Sequence, residues 1–211
     1  MSMFISFEGG EGGGKTTQIA RIAEKLRQAG HVVTSIREPG GSKIAEQIRS
    51  VVLSPEHTDL AMTTEVFLFQ AARAQVFHEI VIPALERGEI VLADRTGDSS
   101  VVYQGIVRGF GEDLIDTLNE ISMQKRIPKL TFLLDVPVEV GFDRIAQGRG
   151  LDRMESEGKS WHKKIRQAYL KLAKKDQKRW RVIDASQPVD SVTQEIWTQL
   201  DRFLNSPQNS R

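Results

Sequence analysis

The eight residues Gly9-Gly10-Glu11-Gly12-Gly13-Gly14-Lys15-Thr16 constrain this chain more than any other segment. They fit G-x-x-x-x-G-K-[ST], a loop whose backbone N–H groups can surround phosphate oxygens. The lysine then reaches the β- and γ-phosphates, and the hydroxyl helps to hold Mg²⁺. The pattern carries weight only between a strand and a helix, and both are present. Met3-Phe4-Ile5-Ser6-Phe7 reads as a buried strand, and beyond the loop Ile19, Ile22, Ala23 and Leu26 recur at helical spacing. The N-terminus of that helix, which Thr17 helps to open, adds its positive dipole to the anion site. A nucleoside triphosphate, held by residues 9–17, is the ligand this segment predicts.

The rest of the chain repeats the same alternation. Short apolar runs at 3–7, Val32–Ile36, Ile90–Ala93, Leu130–Leu134 and Arg181–Ile183 read as strands. Helical patterns fall near 16–29, 42–53, 64–87, 98–123, 137–147 and 155–178, with a last one near 189–204. Continuous apolar strands alternating with helices indicate an α/β fold, a parallel sheet covered on both faces. Gly30 fits the position just past the first helix, and Pro83 should kink or restart the long third one. At 211 residues without a repeat or an evident linker, one domain is expected, with a polar, frayed tail at 205–211.

Composition narrows the chemistry. The 29 Lys and Arg against 28 Asp and Glu leave a net charge of +1, so no global field points to nucleic acid or a membrane surface. Cysteine is absent, which excludes disulfides, thiol nucleophiles and Cys-based zinc sites. His31, His57, His78 and His162 are scattered without ligand-like spacing. No apolar run approaches the roughly 20 residues of a spanning helix, and the N-terminus enters a strand instead of a secretory signal. A cytoplasmic enzyme is the expectation.

Three further clusters bear on what happens to the triphosphate. Val91-Leu92-Ala93-Asp94-Arg95 delivers an acid and a guanidinium at the carboxyl end of a strand, where ligands of open α/β sheets sit. Asp94 can act on Mg²⁺ or its waters, and Arg95 can fork onto a phosphate; a strand-end salt bridge is the plainer reading. Asp94-Arg95-Thr96-Gly97 also satisfies the D-x-x-G pattern of GTPases, but no N-K-x-D motif follows it. Arg144, Arg149, Asp152, Arg153 and Glu155, interspersed with Gly148, Gly150 and Gly158, suit a mobile lid over transferring phosphates, at about 144–158; an exposed, salt-bridged junction is the alternative. Phe69 and Arg73 are i and i+4 on one helix, able to stack a base and bond its carbonyl, or simply to fill core.

Taken in order, these residues resemble the bacterial-type thymidylate kinases, over residues 3 to about 204. The carrying motifs are Phe7-Glu8-Gly9-Gly10-Glu11 running into the phosphate loop, Arg37-Glu38-Pro39-Gly40-Gly41, Ala45-Glu46-Gln47-Ile48-Arg49 and Leu68-Phe69-Gln70-Ala71-Ala72-Arg73. Asp94-Arg95 with Asp98-Ser99-Ser100, and Tyr103-Gln104-Gly105, complete the set. The resemblance implies a nucleoside monophosphate kinase fold with a five-stranded parallel sheet and a lid. It implies ATP as donor, dTMP as acceptor, Mg²⁺ dependence and a homodimer. It further implies that Arg49 and Arg95 hold the acceptor's phosphate, and that Phe69 stacks on thymine while Arg73, Ser100 and Gln104 bond its edge. Tyr103 would lie beside the sugar's 2′ position, and Glu11 would face the 3′-hydroxyl or a metal water. Glu38 and Pro39 would stand near the acceptor. Arg144 and the loop Asp184-Ala185-Ser186-Gln187 would flank adenine.

In the family these residues resemble, some members carry a catalytic arginine in the phosphate loop and others in the lid. Here the loop after Glu11 is all glycine up to Lys15, so the resemblance implies a guanidinium from the lid. Arg153 and then Arg149 are the candidates. One departure from the family pattern stands at Thr96, where an aromatic residue usually follows Asp-Arg; it bears on acceptor range and not on the reaction class. Another nucleoside monophosphate or deoxynucleoside kinase, or a nucleotide-binding switch without an acceptor, are the competing readings.

Overall fold

The computed structural model describes residues 2–146 and 152–206. Five strands, β1 (Met3–Glu8), β2 (Val33–Arg37), β3 (Ile90–Asp94), β4 (Leu130–Asp135) and β5 (Trp180–Asp184), form one parallel sheet in the order β2-β3-β1-β4-β5. Central β1, β3 and β4 are buried along almost their whole length, whereas edge strands β2 and β5 expose several residues. That difference explains why the central strands are the plain apolar runs of the sequence. All five strands end on a charged residue at the same edge: Glu8, Arg37, Asp94, Asp135 and Asp184. With β1 flanked by β3 on one side and β4 on the other, the crevice for ligands opens beyond its carboxyl end.

Helix α1 (Lys15–Gln28) ends as the sequence predicts, with Gly30 N–H on Arg27 O at 2.9 Å and His31 N–H on Leu26 O at 3.0 Å. Helix α2 (Lys43–Leu53) leads to α3 (Met62–Val76), which passes through a π-helical turn at Phe77–Val81 and restarts as α4 (Ile82–Glu86). Pro83 therefore occupies a first turn, where its missing N–H costs nothing.

The helix expected at 98–123 is instead two elements. Helix α5 (Gly97–Ser100) runs into a π-helical turn at Val101–Val107, and α6 (Glu112–Ser122) begins only after a break. Gly109 and Gly111, at φ 84° and 92°, turn the chain there through the left-handed region. After α7 (Val138–Ile145) the chain resumes at Asp152 in turns, so α8 (Lys159–Lys175) is shorter than the expected 155–178. Helix α9 (Val189–Leu204) closes the described chain. On one sheet face Ile19, Ile22 and Leu26 of α1 pack with Ile5, Phe132 and Leu200. On the other, Phe4, Val91 and Ala93 meet Phe77 and Val81. A third cluster around Tyr103, Ile165 and Tyr169 joins α8 to the π-helical turn before α6. These layers leave the charged carboxyl edge as the open face.

Candidate active site

The phosphate loop is seated by backbone contact. A Cβ on Gly12 would lie 2.2 Å from Gly141 O, and a Cβ on Gly141 would lie 2.4 Å from Glu11 O. Loop and α7 touch main chain to main chain, so neither position has room for a side chain. Lys15 Nζ donates to Gly10 O at 2.9 Å and Gly9 O at 3.2 Å. Burial, reinforced by the nearby Arg95 cation, pulls its pKa down. Thr16 Oγ1 donates to Asp94 Oδ2 at 2.7 Å, joining the start of α1 to the end of β3.

Arg95 is the pivot between the two halves of the site. Its φ of 72° places a non-glycine residue in the left-handed region, at a cost of about 1–2 kcal/mol, and this turns the side chain into the cleft. There it pairs with Glu11 and donates to Tyr169 OH at 3.1 Å and Ser99 Oγ at 3.3 Å, with the Tyr103 ring 5.3 Å from its guanidinium carbon. Tyr103 OH donates to Glu11 at 3.1 Å. Burial pushes the Glu11 carboxyl up, but Arg95 and Lys15 outweigh it and hold the group down to about 2. Glu11 thus stands in the cleft between Arg95 and Tyr103.

Beneath Arg95 lies a carboxylate that sequence reasoning passed over. Glu8 ends β1 fully buried and accepts from Thr96 N at 2.7 Å, Ser99 Oγ at 2.6 Å, Ser6 Oγ at 3.0 Å and Tyr169 OH at 3.0 Å. Burial, with Asp98 nearby, raises its pKa. A lone acid closing an apolar strand was the available signal. Thr96, the departure from the family pattern, is itself wholly buried in this network, and its carbonyl accepts from Arg73 Nη2 at 3.1 Å.

At the far end of the cleft, Arg73 is 2 % exposed and gives Nε to Glu38 Oε2 at 2.7 Å and Nη1 to Asn119 Oδ1 at 3.0 Å and Gln70 Oε1 at 3.2 Å. Of the five N–H groups of a guanidinium, one on Nη2 remains for a ligand. Burial, partly offset by Arg73, pushes the Glu38 carboxyl up to about 7. Pro39, Arg49, Phe69, Ser100 and Gln104 line the same cleft, with Arg49 Nη1 on Pro39 O at 2.7 Å. The volume enclosed is about 900 Å³, running without interruption from the phosphate loop to Phe69 and Gln104.

Beside the phosphate loop Arg144 lines the cleft and donates to Ala185 O at 3.0 Å and Gly12 O at 3.2 Å. Ser186 and Gln187 bond Asp184 instead and are absent from the cleft wall. The expectation for Arg153 needs correction. Its guanidinium pairs with buried Glu65 at 2.8 Å and Nε donates to Val52 O at 2.9 Å. This anchors the turn at 152–157 to α2 and α3 rather than reaching the phosphates. Arg149 lies outside the described residues.

A parallel sheet of this order, a phosphate loop opening α1 and an arginine-lined cleft at the carboxyl edge define a P-loop nucleotide kinase. Comparison with known proteins carries this further. The thymidylate kinase family model matches residues 7–196. A thymidylate kinase from Syntrophotalea carbinolica is 44 % identical over 213 residues, covering 98 % of this chain and 99 % of the relative. One from a Geobacillus species is 46 % identical, covering 90 % and 91 %. The crystal structure of thymidylate kinase from Ehrlichia chaffeensis superposes with a TM-score of 0.77 at 31 % identity, covering 94 % of this chain and 98 % of that one. The chain belongs to the thymidylate kinase family.

Proposed function

We propose that the chain transfers the γ-phosphoryl group of ATP to dTMP, yielding dTDP and ADP in the supply of dTTP. The observation that carries this reading is the single cleft joining the phosphate loop to Phe69, Arg73, Ser100 and Gln104. A triphosphate seated on the loop amides and Lys15 meets a monophosphate held by Arg49 and Arg95. Both groups are anions, and guanidinium forks offset the repulsion that would otherwise keep them apart. Phosphoryl transfer has a loose transition state, so alignment and charge stabilisation supply most of the catalysis. A phosphate monoester is largely ionised near neutral pH, so no general base is required. Phe69 stacks on the base, Tyr103 packs beside C2′ of the sugar, and Glu11 faces the 3′-hydroxyl. Arg144 flanks the adenine. Of the lid arginines, Arg149 is the candidate for the transferring phosphate.

Among the described residues no group of three or more His, Cys, Asp or Glu is placed to hold a metal ion. Mg²⁺ shared with substrate phosphates needs only one or two hard oxygen ligands, and the Thr16 hydroxyl with Asp94 fits that role. Held by those two side chains, the ion would supply charge neutralisation for the donor's phosphates.

A homodimer is supported by Ile44 and Val51 of α2, Met62 and Phe67 of α3 and Leu114 and Ile121 of α6, all exposed, with α3 packed against both neighbours. No described helix is long and apolar enough to cross a membrane, which is compatible with a cytoplasmic enzyme built as one domain. Initial rates with ATP and dTMP, dUMP, dCMP, dAMP or thymidine test the reading. A clear preference for dTMP is expected; preference for another acceptor, or turnover indifferent to all of them, would overturn it.

A further inference from the structure

Glu65 on α3 is 1 % exposed and gathers side chains from three separate parts of the chain. Its Oε1 accepts from Gln104 Nε2 at 2.9 Å, while its Oε2 faces Arg153 Nη2 at 2.8 Å and Arg108 Nη2 at 3.4 Å. A carboxylate held between two guanidinium groups accepts hydrogen bonds and does not donate them. The Gln104 amide must therefore present its nitrogen to Glu65. That removes the ambiguity that usually attends an amide side chain, and it leaves the Gln104 carbonyl oxygen as the group offered to the cleft that Gln104 lines. Four residues earlier, Ser100 Oγ is buried without a protein partner and borders the same space.

We propose that Glu65 is a positioning residue that sets base specificity by holding Gln104 with its oxygen toward the acceptor's base. This rests on the kinase reading and adds what decides the base. A ring N–H flanked by two carbonyls, as in thymine, donates to that oxygen. A bare ring nitrogen beside an amino group, as in cytosine, sets lone pair against lone pair. A buried polar site rejects the mismatched edge more strongly than it rewards the matched one. Arg108 also pairs with Glu157 at 2.8 Å, and Arg153 ties the following turn to α2, so loss of Glu65 can slow turnover by loosening that anchor. The ratio between two acceptors is insensitive to such a general loss.

The test compares kcat/KM for dTMP and dCMP at saturating ATP in the wild type, Glu65→Gln, Gln104→Leu and the double variant. The dTMP:dCMP ratio is expected to fall at least about tenfold in Glu65→Gln, and adding E65Q to Q104L should change it by no more than about twofold, as coupled residues behave. A smaller fall in the single variant, or an undiminished further loss in the Q104L background, would overturn the role of Glu65. A wild type that takes dCMP as readily as dTMP would overturn the functional reading itself, so the two failures are distinct. Should E65Q not fold, the side-chain amide of Gln104 in the unaltered protein decides the matter by ¹H–¹⁵N NMR. Its protons should stay protected and keep their positions as dTMP binds, because the ligand meets the oxygen; an NH₂ group that gains a bond to the nucleotide contradicts the proposal.

Discussion

Arg95 lines the cleft between the phosphate loop and Phe69, and its geometry predicts what substitution will do. Its fork touches Glu11, Ser99 and Tyr169 at once, and a lysine keeps the charge but not the fork. Arg95→Lys should lower kcat/KM for dTMP at least about hundredfold, the loss expected when a bidentate phosphate contact is removed; a value within threefold of wild type would remove Arg95 from the mechanism. Glu11 makes a prediction in pH. Its folded pKa of about 2 lies below the usual 4.5, so it stabilises the fold above that ordinary value and loses this contribution as pH falls toward 2. In urea unfolding, the stability difference between wild type and Glu11→Gln should shrink by about 2 kcal/mol between pH 7 and pH 3. An unchanged difference would mean Glu11 is not held by Arg95 and Lys15. Arg95, Tyr103 and Glu11 are legible in the sequence because short motifs carry them. Glu8 stands in one of those motifs and Glu65 in none, but what defines both is partners distant in sequence, such as Tyr169, 161 residues away from Glu8, or Arg153 for Glu65.

Among the elements, the contact between the phosphate loop and α7 is the most demanding. Gly141 sits inside a helix, where alanine would ordinarily be favoured by up to about 1 kcal/mol. Here its Cβ would run into Glu11 O. Gly141→Ala should therefore weaken ATP binding at least about tenfold, a misplacement effect, measured by calorimetric titration; wild-type affinity would show that the loop tolerates displacement. The strands and most helices could be read from apolar periodicity, because burial on both sheet faces imprints it. The break before α6 could not. Apolar spacing continues through 98–123, and only Gly109 and Gly111 mark the turn. Likewise the charges and glycines at about 144–158 read as a lid, while the pairing of Arg153 with Glu65 turns that arginine into an anchor.

At the scale of the whole molecule, exposed apolar residues on α2, α3 and α6 predict self-association. Sedimentation should give twice the chain mass, and Phe67→Glu, at a side chain 59 % exposed, should yield monomers; a monomeric wild type contradicts the homodimer. The wider claim is that one cleft aligns two anionic nucleotides end to end, and a single ligand can span it. A dinucleoside polyphosphate joining adenosine to thymidine should occupy both halves at once. Measured by calorimetry, it is expected to bind at least about a hundredfold more tightly than dTMP alone, the gain of joining two sites into one event. An affinity no better than that of either nucleotide would mean the two sites are not collinear, and the account would fall.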